Sequence, residues 1–223
     1  MQFKYDFTDA YSDAQGDPML RVQITRLPSN GVLLLSGIIV NINDEILTAD
    51  LDNLSFVPDA NWNGSTSFEW NGFDGTVYAP VNASVNITVS AVNDAPLLND
   101  ILKDSNEDSS FGFSVVDFTS AFSDVDANPL TKIIILSLPF NGTLQLSGVA
   151  VNINDEIVVA DLAILSFVPD ANWNGRTSFD WNGFDGTQYA ISSALYIINI
   201  LPTNDVPTLS NVYKSVNEDN TLT

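Results

Sequence analysis

The chain contains no histidine and no cysteine, and it has seven lysines and arginines against 28 aspartates and glutamates in 223 residues. Without imidazole or thiol groups it cannot form a Ser-His-Asp or Cys-His nucleophile pair, a zinc site of thiolates and imidazoles, or a disulfide framework. The formal net charge of -21 opposes binding to nucleic acids and to anionic membranes, because both attract clustered positive charge. These absences exclude several classes of catalyst and predict no nucleic-acid partner.

Long apolar runs are also missing. No run approaches the roughly 20 residues of a membrane span, and the start MQFKYDFTDA lacks the basic and then apolar layout of a signal peptide. We therefore expect no direct membrane insertion, and any export signal would lie outside this sequence or be absent. The hydrophobic content of 45% is nevertheless ample for buried cores, so the acidity does not predict disorder.

Two copies of one unit make up the chain. NINDEI at 41–46 recurs at 152–157, SFVPDANWNG at 55–64 recurs at 166–175, and WNGFDGT at 70–76 recurs at 181–187. The offset in numbering is the same each time (152 − 41 = 111), with no insertion between the copies. We predict a first repeat at 1–96, a second at 97–207, and the first strand of a following repeat at 208–223. The strand before Asp6 would be missing from the first repeat or supplied from elsewhere.

Each copy has the pattern of strands. Residues 130–138, 142–146, 165–169, 177–181 and 194–200 either alternate in polarity or are rich in β-branched residues. Turn signals of the Asn-Gly and Asp-Gly type stand between them, at 30–31, 63–64, 71–72, 74–75 and their copies, and no stretch has a convincing helical period. About seven short strands per copy predict an all-β chain of two tandem immunoglobulin- or cadherin-like antiparallel β-sandwiches in a head-to-tail array. The core candidates are Phe56, Phe68, Trp70, Val85, Ile87, Val89, Phe167, Phe179, Trp181, Tyr196, Ile198 and Ile200.

Three motifs carry a resemblance to a known family. VNDAP at 92–96, NED at 106–108 and FEWNGFDG at 68–75 resemble the cadherin-like tandem repeats of very long bacterial surface adhesins, and the likeness extends over essentially the whole chain. The resemblance implies a non-enzymatic extender module, secreted to the bacterial surface for cell adhesion, with calcium (Ca2+) at the domain junctions. Its partners would be neighbouring repeats of the same or an identical chain.

Calcium takes about six to eight oxygen ligands, so a junction site needs carboxylate and amide groups from several loops. The resemblance implies ligands in the linker, in the glutamate that begins the next domain, in an Asp-x-Asp loop and at a strand end. These are Asn93, Asp94, Glu107, Asp124, Asp126 and Asp74. The same motifs in the other copy supply Asn204, Asp205, Glu218, Asp13, Asp17 and Asp185, where Asp17 stands at the position of Asn128. Bound ions would neutralise the anionic junctions and stiffen a string of domains. The alternative is a simple turn before a proline, with solvated acids.

The two Asp-x-Asp loops depart from the pattern of the family in different places. The first reads DAQGD at 13–17 and the second DVDAN at 124–128, so each lacks one carboxylate. Gln15 and Asn128 still offer amide oxygens, and we expect a loss of charge and affinity more than a loss of the site.

Three other interpretations remain open. The adjacent acids at 44–45 and 155–156 suggest a glycosidase, although neighbouring strand residues point to opposite faces and a charged turn is favoured. Trp62 and Trp173 suit a carbohydrate-binding module, although an apolar plug over the end of a sandwich is favoured. Finally, residues 208–223 of one chain could complete the first repeat of the next and form a filament, unless the same strand is provided within one longer polypeptide.

Overall fold

The computed structural model describes residues 3–219, and the chain divides into two compact units, Met1–Asn93 and Asp94–Thr223. This boundary lies three residues before the one that the sequence predicted. Residues 1–2 and 220–223, which the predicted first repeat and the predicted last strand include, lie outside the described residues.

Unit 1 consists of short strands in two sheets. Its elements are α1 (Phe3–Ala10), β1 (Arg21–Arg26), β2 (Val32–Leu35), β3 (Ile38–Ile39), β4 (Glu45–Leu47), a 3-10 helix (Thr48–Asn53), β5 (Leu54–Val57), β6 (Gly64–Phe73) and β7 (Ala83–Val89). One sheet has the order β4-β1-β6-β7 and the other β3-β2-β5, and these pairings are antiparallel. Side chains of both sheets, including Ile24, Leu33 and Phe68, belong to one buried cluster.

Unit 2 repeats this plan with additional strands. Its elements are β8 (Leu97–Leu98), β9 (Ile101–Asn106), β10 (Phe111–Gly112), α2 (Val115–Ala121), β11 (Phe122–Ser123), β12 (Lys132–Ile135), β13 (Gly142–Leu146), β14 (Val149–Ala150), β15 (Glu156–Val158), a 3-10 helix (Val159–Ile164), β16 (Leu165–Pro169), β17 (Gly175–Phe184) and β18 (Ala194–Leu201). The sheets have the orders β15-β12-β17-β18-β9, β10-β16-β13-β14 and β11-β8. All of these pairings are antiparallel except that of β9 with β18, which is parallel.

From their third residue onward, the central strands of the two units alternate between buried and half-exposed residues. In β6, Thr66, Phe68 and Trp70 face the core, and the same pattern recurs in β17. In both copies a helical phenylalanine meets the tryptophan edge to face: Phe7 lies 4.8 Å from Trp70, and Phe118 lies 5.1 Å from Trp181, between ring centroids. Each unit therefore has its own core, built from equivalent residues.

The prediction of an all-β chain with antiparallel sheets is confirmed, and strands occur in all five predicted segments of the second copy. Nine of the core candidates are buried: Phe68, Trp70, Ile87, Phe167, Phe179, Trp181, Tyr196, Ile198 and Ile200. The other three are only partly buried and pack against the core of unit 1: Phe56, Val85 and Val89.

Two local predictions are wrong. The first is the absence of helices, since α1 and α2 form over eight and seven residues. They are too short to show a helical period, and α2 is held instead by its buried Phe118 and by Ser114, whose hydroxyl accepts a hydrogen bond from Val116 N at 3.2 Å. Among the described residues, neither helix is long and apolar enough to cross a membrane.

The second is the turn at Asn71 and Gly72, because these residues lie inside β6 and their counterparts lie inside β17. A Cβ atom at Gly72 would come within 3.1 Å of the Tyr11 ring and 3.2 Å of Met19 Sδ. Gly183 is equally crowded, with Leu130 Cδ1 at 2.9 Å. These glycines serve close packing inside a strand and do not make a turn.

Candidate functional site

The aspartate loop has the same fold in both copies. Asp124 Oδ1 accepts hydrogen bonds from the backbone N–H groups of Asp126 at 2.9 Å and Asn128 at 3.0 Å. In the first copy, Asp13 Oδ1 accepts them from Gln15 at 2.7 Å and Asp17 at 3.1 Å. A short aspartate side chain is suited to this capping of its own loop, so the first aspartate organises the backbone that presents the other acids.

In unit 2, the backbone of Asp94, another predicted ligand, contacts this loop. Asp126 Oδ2 accepts a hydrogen bond from Asp94 N at 2.7 Å, which joins the start of the unit to the loop. The second carboxylate oxygen of Asp124, Oδ2, is buried and has no hydrogen-bond partner within the described residues. A buried carboxylate oxygen without a donor is unfavourable unless a proton or a cation satisfies it. The loop therefore presents an acceptor that is suited to a cation.

Asp74 and Asp185 lie at the ends of equivalent strands and close equivalent turns. Asp74 Oδ1 accepts from the N–H groups of Thr76 at 2.6 Å and Val77 at 2.7 Å, and Asp185 Oδ1 accepts from Thr187 at 2.5 Å and Gln188 at 2.7 Å. The hydrogen bonds from Val77 N and Thr76 N lower the pKa of Asp74. One oxygen of each acid thus has a structural role in its turn.

Glu107 lies at the other end of unit 2 from the aspartate loop, contrary to the predicted convergence of these acids. Its backbone N–H donates to Leu201 O, the last residue of β18, at 3.0 Å. The preceding residue, Ile200, pairs with Gly175, which is the first residue of β17. Gly183, at the far end of the same strand, is adjacent to Phe122, two residues before Asp124. Gly183 is eight positions after Gly175 in this strand, so the two ends are about 25 Å apart at about 3.3 Å per residue.

The glutamate side chain has partners of its own at that end. Glu107 is 4% exposed, and its Oε1 accepts from Thr203 N at 2.7 Å. Its Oε2 accepts from Asn174 Nδ2 at 3.3 Å, and the neighbouring Asp108 Oδ1 accepts from Asn172 N at 2.8 Å. Strand β9 carries the chain from one end of the unit to the other, and this separates Glu107 from Asp124 although the two acids are close in sequence.

The remaining predicted ligands are placed as follows. Asn93 is the last residue of unit 1 and is half-buried. Asn204 and Asp205 follow β18 and are exposed, with Asn204 Nδ2 donating to Asp205 O at 3.1 Å. Glu218 is exposed in a turn. Within residues 3–219, no three acidic side chains are grouped as a ready-made metal site, so any cation there would also need amide, carbonyl or water oxygens.

The adjacent acids at 44–45 and 155–156 each have separate structural partners. Asp44 Oδ2 accepts from Asn41 N at 2.7 Å, which closes the turn, while Glu45 Oε2 accepts from Arg21 Nη1 at 2.5 Å and Oε1 accepts from the Tyr78 hydroxyl. The Tyr78 hydroxyl and then Arg21 lower the pKa of Glu45. Glu156 repeats this arrangement with Lys132 and Tyr189. A lowered pKa does not suit a general acid, which must hold its proton.

Both tryptophans of the NWNG motifs lie against glycine. A Cβ atom at Gly64 would be 3.2 Å from Trp62 Cζ2, and one at Gly175 would be 3.0 Å from Trp173 Cζ2. Trp173 also packs against the core of unit 2. Each indole therefore lies close to the backbone of the glycine that ends its own motif.

Comparisons with known proteins place the chain in no family. No family model matches it, and no curated protein matches it. Among solved structures, it is similar to an endo-fucoidan hydrolase of glycoside hydrolase family 107, with 22% identity, 85% of this chain and 24% of that chain covered, and a TM-score of 0.32. Domains 4 and 5 of the S-layer protein SbsC show 11% identity over 86% of this chain and 78% of that one, with a TM-score of 0.28.

Yersinia pseudotuberculosis InvD shows 14% identity over 90% of this chain and 53% of that one, with a TM-score of 0.27. The chain thus spans about a quarter of the length of the fucoidan hydrolase. At such TM-scores these likenesses carry no argument about fold or function, which rest on the residues of the chain itself.

Proposed function

We propose that the chain is a non-enzymatic structural segment of an extracellular bacterial surface protein, formed by two tandem cadherin-like repeats whose loops bind calcium. The observation that supports this most directly is the repetition itself. Both copies bury the same phenylalanine and tryptophan pair and fold the same aspartate loop, at equivalent positions of the repeat. Repetition of one unit adds length and mechanical continuity, because each copy contributes the same structure.

A β-sandwich in each unit is the fold that fits this proposal. Two sheets that share one core form a sandwich. In unit 2, Tyr196 and Ile198 of β18 belong to the same buried cluster as Leu144 of β13 and Phe167 of β16, from the facing sheet. The antiparallel pairings and the short strands agree with this arrangement.

The aspartate loop of unit 2 is the best candidate for calcium. Calcium prefers carboxylate and carbonyl oxygens, and the unpartnered Oδ2 of Asp124 is such an atom in a buried position. Asp124, Asp126 and the amide oxygen of Asn128 would hold the ion. Such an ion would satisfy the buried oxygen, lower the repulsion among the acids and stiffen the array. Glu107 would not contribute to this site, because it lies at the other end of the unit.

Isothermal titration calorimetry of the whole chain with calcium chloride tests the cation. We expect binding in the wild type, and weaker binding or none after Asp124→Asn, which removes the charge of the carboxylate at nearly constant size. Asp155→Asn is the matched control, since Asp155 caps another turn of the same unit by accepting from Asn152 N at 2.8 Å. Absence of calcium binding by the wild-type chain would contradict the cation proposal.

Extracellular placement has a separate test. Antibodies against the chain should label intact cells that produce the parent protein. Labelling that appears only after lysis would contradict a surface location.

A further inference from the structure

Each unit has an apolar groove at the same place in the repeat. We call it the hairpin groove, and it is lined by residues 35, 38–40 and 44–46 in unit 1 and by residues 146, 149–151 and 155–157 in unit 2. These are the same seven positions at the repeat offset, and each groove has a volume of about 200 Å³. Each groove lies between strands of a single unit, so it is a feature of the repeat itself.

The wall of each groove is apolar although it is exposed. Ile38 and its counterpart Val149 are 73% and 70% exposed. At a similarly exposed position outside the grooves the copies differ, since Val81 of unit 1 is 75% exposed and Ser192 replaces it in unit 2. Exposed residues that remain apolar in both copies, in the wall of a groove, indicate a surface that contacts something other than water.

The hairpin groove of unit 1 separates the edges of two sheets. Within residues 3–219, β3 ends one sheet and β4 ends the other. Thr48 N donates to Leu20 O, and Ile24 N donates to Asp44 O, so every second residue along β4 faces β1. The N–H groups of Glu45 and Leu47 therefore point away from β1, toward the groove.

Unit 2 repeats this arrangement with β14 and β15 as the two edges. Val159 N donates to Thr131 O, and Ile135 N donates to Asp155 O. The N–H groups of Glu156 and Val158 therefore point away from β12. An edge with free N–H groups beside an apolar groove is suited to pairing with a further strand.

The charge of the groove limits what can occupy it. Its lining contains two acids in each unit and, among the described residues, no lysine or arginine. Glu45 and Glu156 form ion pairs, but Asp44 and Asp155 have no basic partner within residues 3–219. A second copy of the chain would bring the same acids and a net charge of -21 against this rim, so charge repulsion opposes it as the occupant. The same acids attract a basic partner.

We propose that each hairpin groove binds an extended, basic segment of a partner protein, which adds as an edge strand to β4 in unit 1 and to β15 in unit 2. Because the residues of a strand alternate between two faces, every second side chain of the segment would point into the groove, beside Ile46 or Ile157. These side chains should be apolar, and the residues between them should be lysine or arginine, facing the acidic rim. This binding activity is additional to the structural role proposed above and does not depend on a bound cation.

Binding of labelled peptides to the whole chain tests the chemistry of the partner. The probe is a fluorescein-labelled heptapeptide of alternating lysine and valine, followed by fluorescence anisotropy in EDTA at about 0.15 M salt. One control peptide alternates glutamate and valine, and the other has the same lysines and valines as the probe in two separate blocks. We expect saturable binding of the probe at two sites per chain, and binding of both controls that is about tenfold weaker or absent.

Substitutions in the grooves test where the probe binds. The double variant Ile38→Ser with Val149→Ser removes one exposed apolar side chain from each groove and should weaken binding about tenfold. Val81→Ser is the matched control, because it removes a similarly exposed side chain outside the grooves and introduces the residue that unit 2 has at this position. It should bind the probe like the wild type.

Hydrogen exchange of the wild-type chain locates the added strand without any substitution. The N–H groups of Glu45, Leu47, Glu156 and Val158 should exchange more slowly in the presence of the probe, because they would then donate to its backbone. Unchanged exchange of these groups at saturating probe would overturn strand addition.

The peptide experiments can fail in three further ways. No binding of the probe by the wild type, equal binding of either control peptide, or unchanged binding by the double variant would overturn the proposal. Association of the chain with itself that the double variant abolishes would identify a second copy as the occupant and contradict a basic partner. Because all of these measurements are made in EDTA, their failure leaves the cation proposal to its own test.

Discussion

Replacement of Glu107 by alanine should destabilise unit 2 strongly, although the residue is acidic and the chain already has an excess of acid. The Glu107 carboxylate is 4% exposed and accepts hydrogen bonds from Thr203 N at 2.7 Å and from Asn174 Nδ2 at 3.3 Å. Hydrogen bonds to charged groups contribute about 1.5–3 kcal/mol each, and the longer of these two contributes less. We therefore expect Glu107→Ala to lower the free energy of unfolding of unit 2 by about 2–4 kcal/mol.

The repeat supplies a matched control for this substitution. Glu218 occurs in the same Asn-Glu-Asp sequence but is exposed in a turn, so Glu218→Ala should change the stability of an isolated chain by no more than about 0.5 kcal/mol. Glu107→Gln keeps an oxygen for Thr203 N and should have an intermediate effect.

The assay is urea unfolding in EDTA at low protein concentration, followed by hydrogen exchange of β9 and β18 to assign the loss to unit 2. Chelation removes any contribution of a bound cation, and low concentration removes any contribution of association. Equal effects of Glu107→Ala and Glu218→Ala would refute the reasoning, since only the position in the fold distinguishes the two glutamates.

Three further predictions concern single residues of unit 2. Burial, and then Asp117, which accepts from the Tyr196 hydroxyl at 3.0 Å, raise the pKa of Tyr196. The stability that this phenol contributes is therefore present below about pH 10 and is lost as the pH rises above that value. An ultraviolet titration of the folded chain checks this, and ionisation of Tyr196 together with the exposed Tyr213 would contradict it. Ala127 has a left-handed backbone conformation with φ 62°, where the first copy has Gly16 at φ 83°. Because glycine adopts this conformation without strain, Ala127→Gly should stabilise unit 2 by about 1 kcal/mol in urea unfolding. A destabilisation would speak against strain at this position. Trp173→Ala should lower stability by about 1–3 kcal/mol because the indole packs on the core; a glycan-array signal that this variant loses while remaining folded would instead favour a carbohydrate-binding module.

Much of the fold could be predicted because strand patterns are local. The alternation of Thr177, Phe179 and Trp181 is visible in the sequence and is the alternation found in β17. The helices could not be predicted in the same way, because seven or eight residues do not show a period and packing of Phe7 and Phe118 stabilises them. The role of Gly72 depends on Tyr11 and Met19, which lie far earlier in the chain, and this contact has no local signal.

The candidate site was predicted in part for a related reason. The aspartate loop is a local structure, and the resemblance of its sequence to the Asp-x-Asp loops of the family indicated it. The position of Glu107 depends on the direction in which β9 crosses the unit, and on its parallel pairing with β18, which the sequence motif does not reveal.

The effect of calcium on the thermal unfolding of unit 2 tests the central claim most directly. A ligand at a hundredfold excess over its dissociation constant stabilises the folded state by about 2.7 kcal/mol. Differential scanning calorimetry should therefore show a higher unfolding midpoint in calcium than in EDTA for the wild type and for Asp155→Asn, and little or no increase for Asp124→Asn. Equal midpoints of the wild type in calcium and in EDTA, or a full increase in Asp124→Asn, would contradict the account.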